Sequence, residues 1–208
     1  MGTQRPWGAG SAPVVGGGEI GLEAITDGTS NTVMLSEGGV YARDGVTQGG
    51  DLRSHLAWGI SVGYNHAPIN CFNPKGEGMQ LKSNIAVVWW DDHNLGGRAF
   101  DDYPLKTLFH TVLPPNSPSC TSGGWGEWSL VSASSYHSGG VNVAFCDGSV
   151  KFITDTINTQ NLDKFGVVTP GNQSLDPIPT CSETGNTFSY GVWAELGSIN
   201  GGESTRMP

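Results

Sequence analysis

The side chains best suited to chemistry in this 208-residue chain are a histidine and an aspartate of one short segment, His137 and Asp147. Such a pair can act as general base and acid or supply ligands to a metal ion. The residues between them alternate between apolar and polar types, and this period of two predicts a β-strand. An extended strand rises about 3.3 Å per residue, so the two side chains should lie on the order of 20 Å apart. We therefore predict that they do not share a site and that both serve the structure.

The Asp147-Gly148 dipeptide predicts that this strand continues into a β-hairpin. Glycine adopts the positive φ of a two-residue turn at low cost, and a second apolar stretch follows at residues 150–153. We predict that both strands direct apolar side chains to one buried face. The predicted cross-strand pairs are Phe145 with Val150 and Val143 with Phe152.

Two other groups of polar residues are candidate sites. Four aspartates bracket a glycine-containing loop and could bind Ca²⁺ through their oxygens, although their spacing is not that of an EF-hand; a solvated acidic turn is the alternative. These aspartates are Asp91, Asp92, Asp101 and Asp102. Nearer the N-terminus, Asp27, Gly28 and Asn31 are of the types that form turns and cap them with side-chain-to-backbone hydrogen bonds.

The sequence offers little that is typical of enzymes. It contains no His-Glu-x-x-His motif, and its glycines are scattered among turns rather than placed between a strand and a helix, so we expect a protein without catalytic residues. The seven tryptophans suggest an alternative role as an aromatic platform for sugar rings, although tryptophan in β-rich proteins is more often part of the core. The platform candidates are Trp89, Trp90, Trp125 and Trp128.

The charge balance excludes one class of partner. Nineteen acidic residues against ten basic ones give a net charge of -9, whereas a nucleic-acid surface needs a basic stripe, so nucleic acid is not an expected partner. The chain has no apolar stretch long enough to span a membrane, and its first residues lack the apolar segment of a signal peptide.

The four cysteines contain no Cys-x-x-Cys pair, which favours disulfide bonds in an oxidising compartment over zinc or thioredoxin chemistry. Cys71, Cys120 and Cys181 lie in segments rich in Pro, Asn and Ser and are the candidates for bridges, whose pairing the sequence leaves open. Cys146 lies on the predicted hairpin and is the candidate free thiol.

The fold class follows from composition and periodicity. Glycine (32) and proline (12) together favour strands and turns over helices. We predict a flexible Gly/Pro-rich tail at residues 1–18 and a single domain over residues 19–208, of the α+β class, loop-rich and mainly antiparallel β-sheet with one or two short helices. Besides the hairpin, we expect strands within residues 20–24, 33–37, 55–62, 85–90 and 125–135. We also expect a proline-rich surface loop at 114–118, a helix at 156–165, and a last helix or strand at 192–196.

Four segments together resemble a bacterial family, the prepilin-type, processing-associated proteins named for a His-x9-Asp-Gly motif. The sequence HSGGVNVAFCDGSVKFI at residues 137–153 carries that motif. The other three segments occur in the family's order and extend the resemblance from about residue 20 to residue 203. They are ITDGTSNTVMLSE at residues 25–37, TVLPPNSPSC at 111–120 and GVWAELGSINGGE at 191–203.

The resemblance implies a head domain like that of a pilin or a type II secretion pseudopilin. It implies an exported, non-catalytic structural subunit of a surface filament or secretion-associated assembly, located at the cell surface or outside the cell. The expected partners are further copies of the chain or other pilin-like subunits, and His137, Asp147 and Gly148 are expected to be structural. Family members usually begin with a cleaved leader and a long hydrophobic helix, whereas this sequence begins in the globular part. A carbohydrate- or Ca²⁺-binding extracellular module is the alternative.

Overall fold

The computed structural model describes residues 22–62, 66–89, 95–96, 109–123, 129–164, 181–183, 186–188 and 190–197. Some predicted features lie outside these residues. They are the tail at 1–18, the four aspartates Asp91, Asp92, Asp101 and Asp102, and the tryptophans Trp90, Trp125 and Trp128.

Short strands joined by long irregular segments dominate the described part of the chain. The strands are β1 (Val33–Ser36), β2 (Leu56–Trp58), β3 (Ser119–Thr121), β4 (Ser129–Leu130), β5 (Gly140–Phe145), β6 (Val150–Thr154), β7 (Cys181–Glu183) and β8 (Asn186–Phe188). Within the described residues, helical structure comprises 3₁₀ turns at Leu22–Ala24 and Pro68–Phe72 and the short α-helix α1 (Val192–Glu195). This confirms the predicted α+β, mainly antiparallel and loop-rich fold. Among the described residues, no helix has the length and apolar character needed to cross a membrane.

An antiparallel sheet in the order β1-β5-β6 contains the predicted hairpin. On its inner face, Val141, Val143 and Phe145 of β5 are fully buried, as their alternation with less apolar residues predicts. They pack in one cluster with Ile153 of β6 and with Trp193 of α1. The helix therefore covers this face, and the Trp193 indole N–H donates to the Leu113 carbonyl at 2.9 Å.

The register of the hairpin differs by one residue from the prediction. Val150 lies opposite Ala144, Lys151 opposite Val143 and Phe152 opposite Asn142. The Phe145 N–H donates to the Ser149 carbonyl at 2.9 Å and the Gly148 N–H to the Phe145 carbonyl at 2.9 Å, so the loop has three residues, 146–148. Gly148 has φ 84°, the left-handed position that follows a type I turn in a three-residue hairpin loop.

This shift reverses the faces of β6, because side chains alternate from one side of a strand to the other. Val150 and Phe152 were predicted to be buried, but they are 66% and 48% exposed on the outer face of the sheet. Lys151 and Ile153 occupy the inner face instead. The Lys151 ammonium lies 4.4 Å from the centre of the Phe145 ring, where it stacks on the aromatic face.

A second sheet has the order β2-β3-β4, with β2 and β3 parallel and β3 and β4 antiparallel. A disulfide joins Cys71 to Cys120 across 49 residues of sequence and lies in a buried cluster with Leu52 and Leu113. Cys146 is a free cysteine, and burial raises the pKa of its thiol. Strands β7 and β8 form a separate antiparallel pair.

Three predicted elements are wrong. Residues 22–24 form a 3₁₀ turn rather than a strand. In the predicted strand at 85–90, the described residues form only isolated bridges, Gln48 to Ala86 and Ala57 to Val87. The helix predicted at 156–165 is irregular over residues 156–164, because its backbone groups bond to a different segment: the Gln160 N–H donates to the Tyr190 carbonyl.

The proline-rich segment 114–118 is a loop, as predicted, but it is not on the surface. Asn116 is 3% exposed, and Ser117 and Pro118 are also buried. A buried loop must satisfy its polar groups internally. Here the Asn116 N–H donates to the Ala133 carbonyl at 2.8 Å, and its side chain bonds two further backbone groups.

Candidate functional site

The loop that carries His137 is held in place by Asn116. The Asn116 Oδ1 accepts the Ser135 N–H at 2.9 Å, and its Nδ2 donates to the Gly140 carbonyl at 3.4 Å. The Ser135 hydroxyl donates to the same carbonyl at 3.2 Å and accepts the His137 N–H at 2.9 Å. Asn116 itself has φ 57°, a left-handed conformation that asparagine tolerates better than most residues. Both ends of the loop that precedes β5 are therefore fixed.

Glu37 meets His137 at this end of the sheet. It directly follows β1, and its carboxylate accepts the Asn142 backbone N–H at 2.9 Å and the Asn142 side-chain amide at 3.1 Å. The same carboxylate pairs with the His137 Nε2 at 3.2 Å. Partial burial alone would raise the pKa of Glu37, but the bonds from Asn142 and the charge of His137 outweigh it and lower that pKa. Glu37 thus binds β5 and the histidine together.

An open depression of about 500 Å³ lies beside this pair. Residues 37–39 and 134–137 line it. Tyr136 is 64% exposed at its side, and the Arg53 guanidinium lies 4.3 Å from the centre of the tyrosine ring. Arg53 is itself oriented by a bidentate pair with Asp51. The depression therefore presents a carboxylate, an imidazole and one aromatic ring to solvent.

Asp147 lies at the other end of β5 and makes different contacts. Its Oδ1 accepts the N–H and the hydroxyl of Ser149 at 2.9 and 2.7 Å, and these bonds lower the pKa of Asp147. Its backbone N–H donates to the Thr29 carbonyl at 3.1 Å. The contacts of His137 and Asp147 involve different partners at opposite ends of the strand. The structure therefore does not bring the two side chains to one site.

Asp27, Gly28 and Asn31 form a tight turn just before β1. The Asn31 side-chain amide donates to the Asp27 carbonyl at 3.2 Å, and its backbone N–H donates to the Gly28 carbonyl at 3.0 Å. Gly28 has φ 94°. The turn presents the neighbouring carbonyls of Thr29 and Thr32 to the hairpin loop, where they accept backbone N–H groups.

Two buried histidines lie outside this site. His55 contacts Ser54 Oγ at 3.1 Å and Asp44 at 3.2 Å, a serine-histidine-aspartate arrangement, but Ser54 is 2% exposed and its hydroxyl does not reach the surface. Burial lowers the pKa of His110 to about 4, so its neutral ring accepts the Val131 N–H at 2.9 Å. Neither group has the exposed nucleophile that acyl transfer needs.

Sequence reasoning missed the residues that build the site. Glu37, Asn116 and Asn142 were not proposed as site residues, although all three lie within the segments that carried the family resemblance. A buried asparagine after two prolines, and a glutamate that ends an apolar strand, were the available signals. No group of three or more metal-ligating side chains occurs within the described ranges.

Comparison with known proteins gives a match to a family. No curated protein and no solved structure resembles the chain at a significant level. Residues 2–160 match a family described as "Protein of unknown function (DUF1559)". That match covers the segments at 25–37, 111–120 and 137–153, which the structure joins through Glu37, Asn116 and His137. The chain therefore belongs to the DUF1559 family, whose function is unknown.

Proposed function

We propose that this chain is a non-catalytic structural subunit of an exported surface filament or secretion-associated assembly of the pilin or pseudopilin kind. The observation that carries the proposal is the outer face of the β1-β5-β6 sheet. Leu35, Val150 and Phe152 are 55%, 66% and 48% exposed there, and the strand pairings place all three on the same side. Contiguous apolar side chains in such a position are typical of an interaction surface.

The His-x9-Asp-Gly motif supports a structural role because its polar groups bond within the fold. His137 is paired with Glu37, and Asp147 is bonded to Ser149. Each contact stabilises one end of β5 and so helps to keep the strands of the outer face in register. A catalytic pair would instead bring the two side chains to one ligand.

The disulfide supports an exported location. The Cys71–Cys120 bond is fully buried and joins distant parts of the chain. Disulfides of this structural kind are typical of oxidising compartments and rare in the cytosol.

The experiment is immunogold labelling of surface material from the producing cells, viewed by negative-stain electron microscopy. We expect label at regular intervals on filaments or on a secretion-associated structure. The double variant Val150→Asp/Phe152→Asp should be exported but should not be incorporated, whereas Glu77→Gln, an exposed change in another region, should be incorporated normally. Label found only on dispersed monomers of the unchanged chain would contradict the proposal.

Carbohydrate binding is a second candidate, favoured by the open depression beside Tyr136. An exposed aromatic ring next to a carboxylate and an imidazole is an arrangement that can stack on and hydrogen-bond a sugar. Trp89, the described member of the predicted tryptophan platform, is 58% exposed. A change in tryptophan fluorescence or NMR shifts on adding cell-wall polysaccharide, lost in Tyr136→Ala, would support this function, and no response to any glycan would refute it.

A further inference from the structure

Among the strands that the structure describes, β6 has a neighbour on one side only and forms an edge of the β1-β5-β6 sheet. Two backbone hydrogen bonds, Phe145 to Ser149 and Asp155 to Gly139, determine which residues of β6 direct their N–H and C=O groups toward β5. Lys151 and Ile153 therefore direct their N–H and C=O groups toward β5, whereas Val150, Phe152 and Thr154 direct theirs away from it. Within the part of the chain that the structure describes, the N–H and C=O groups of Val150 and Phe152 have no backbone partner.

We propose that this edge pairs with β6 of a second copy of the chain, in an antiparallel arrangement about a two-fold axis at Phe152. Antiparallel pairing at that point places Phe152 opposite Phe152 of the second copy, and Val150 opposite Thr154. All three residues direct backbone groups outward, so each opposed pair exchanges two hydrogen bonds, about six in all. The Thr154 carbonyl already accepts the Ile157 N–H, and a carbonyl has a second lone pair for the new bond.

Charge favours contact between two copies at this edge. The chain carries a net charge of -9, so two copies repel each other over most of their surfaces. Residues 148–154 contain no carboxylate and only one charged side chain, Lys151. Its ammonium lies against the Phe145 ring and donates to the Ser30 carbonyl at 3.3 Å on the inner face, away from the edge.

The side chains on the outer face also suit this pairing. Phe152 lies over Gly140, which has no side chain to displace the ring: a Cβ built on Gly140 would contact the ring at 2.8 Å. The tip of the ring therefore leans over β5, away from the edge, and leaves the backbone of β6 accessible to a second strand. Each copy exposes on the order of 300 Å² of apolar side chain on this face, and pairing would join the two patches into one six-stranded surface.

This pairing rests on the proposed function and makes it more specific, since it names a second copy as the partner and β6 as the surface that an assembly would use. The test is sedimentation velocity of the full 208-residue chain between roughly 1 and 100 μM, which brackets a moderate dissociation constant. We expect a concentration-dependent dimer. Amide exchange should slow with concentration at Val150 and Phe152 but stay constant at Lys151 and Ile153, which β5 already protects.

Val150→Pro is the decisive variant, since it removes an N–H that no described strand of the same chain uses. Loss of one bond from each copy should raise the dissociation constant about 30-fold. If this variant unfolds by circular dichroism, Phe152→Asp replaces it, because two opposed carboxylates at the axis would also prevent pairing. Leu35→Asp is the matched control: it changes the same face with similar exposure but leaves the edge intact, and it should dimerise normally.

Three results would overturn the pairing. One is a chain that stays monomeric throughout the concentration range. The second is a dimer that Val150→Pro and Phe152→Asp leave unchanged, and the third is a dimer that Leu35→Asp alone disrupts, which would place the contact on the sheet face. Each would leave the proposed function standing if immunogold label is still found on surface assemblies, because other contacts would then form them.

Discussion

Replacing Asn116 with alanine should lower the free energy of unfolding by about 3 kcal/mol. The largest part is the Ser135 N–H, a buried donor that would lose its acceptor, at a cost of roughly 1–3 kcal/mol. The left-handed backbone at Asn116 adds about 1 kcal/mol, since alanine is strained there. The Gly140 carbonyl contributes little, because the Ser135 hydroxyl continues to donate to it.

Two further variants separate these contributions. Asn116→Gly removes the side-chain bonds without backbone strain, so it should be more stable than Asn116→Ala by roughly 1 kcal/mol. Asn73→Ala is the control, because Asn73 is exposed and has an ordinary φ of -55°; it should change stability by less than about 0.5 kcal/mol.

The assay is urea unfolding followed by tryptophan fluorescence, which reports the buried Trp193. Amide exchange at Ser135 should accelerate in both Asn116 variants, because the bond that protects this amide is removed. An Asn116→Ala protein within about 0.5 kcal/mol of the unchanged chain would refute the reasoning that this side chain holds the loop. Equal losses for alanine and glycine would refute the contribution of backbone strain.

Four other outcomes are expected. The folded-state pKa of Glu37 is lowered from its ordinary 4.5, so the stabilisation from its ionised carboxylate is present above about pH 4.5 and is lost as the pH falls through the lowered pKa. In Glu37→Gln, the urea concentration at the unfolding midpoint should therefore depend less on pH over that range. Gly148→Ala should cost about 1 kcal/mol in thermal unfolding because φ there is 84°, and Gly148→Asn should cost less; equal losses would contradict this explanation. The double variant Cys71→Ala/Cys120→Ala should lose about 4 kcal/mol, from closure of a 49-residue loop, and reduction of the unchanged chain should lower its urea midpoint similarly. Gly140→Ala should lower the melting temperature through a loss of roughly 1–3 kcal/mol, because its Cβ would contact the Ile153 carbonyl and the Phe152 ring; an unchanged melting temperature would show that β6 can shift to accommodate it.

The hairpin was predictable from sequence, but its register was not. Alternation along β5 and the Asp147-Gly148 pair both indicated a turn at this point, and the turn is there. Asp-Gly fits a two-residue loop, and it equally fits the last two positions of a three-residue loop with glycine in the left-handed position. The two loops differ by one residue, which exchanges the faces of Val150 and Phe152.

The site and the failed helix depended on contacts between distant segments. Glu37 and Asn142 are 105 residues apart, and nothing local to either residue indicates that they meet. Thr154 and Asp155, just before the segment at 156–164, are of the types that cap a helix. Yet the Asn158 carbonyl accepts the Trp193 N–H, and Asn161 has φ 54°. Bonds to the segment around α1 outweigh a local helix signal, since short helices are marginal without packing.

The spacing of the His-x9-Asp-Gly motif can be explained by the length of the strand between its ends. At one end His137 pairs with Glu37, just after β1; at the other, the Cys146 and Asp147 N–H groups donate to the Thr32 and Thr29 carbonyls, just before β1. Because β1 and β5 are antiparallel neighbours, the motif contacts both ends of the same partner strand. One residue more or fewer in β5 would reverse the side-chain alternation beyond that point and misplace one of the two contacts. The fixed distance between the histidine and the aspartate is therefore explained by the two contacts that the motif makes at opposite ends of β1.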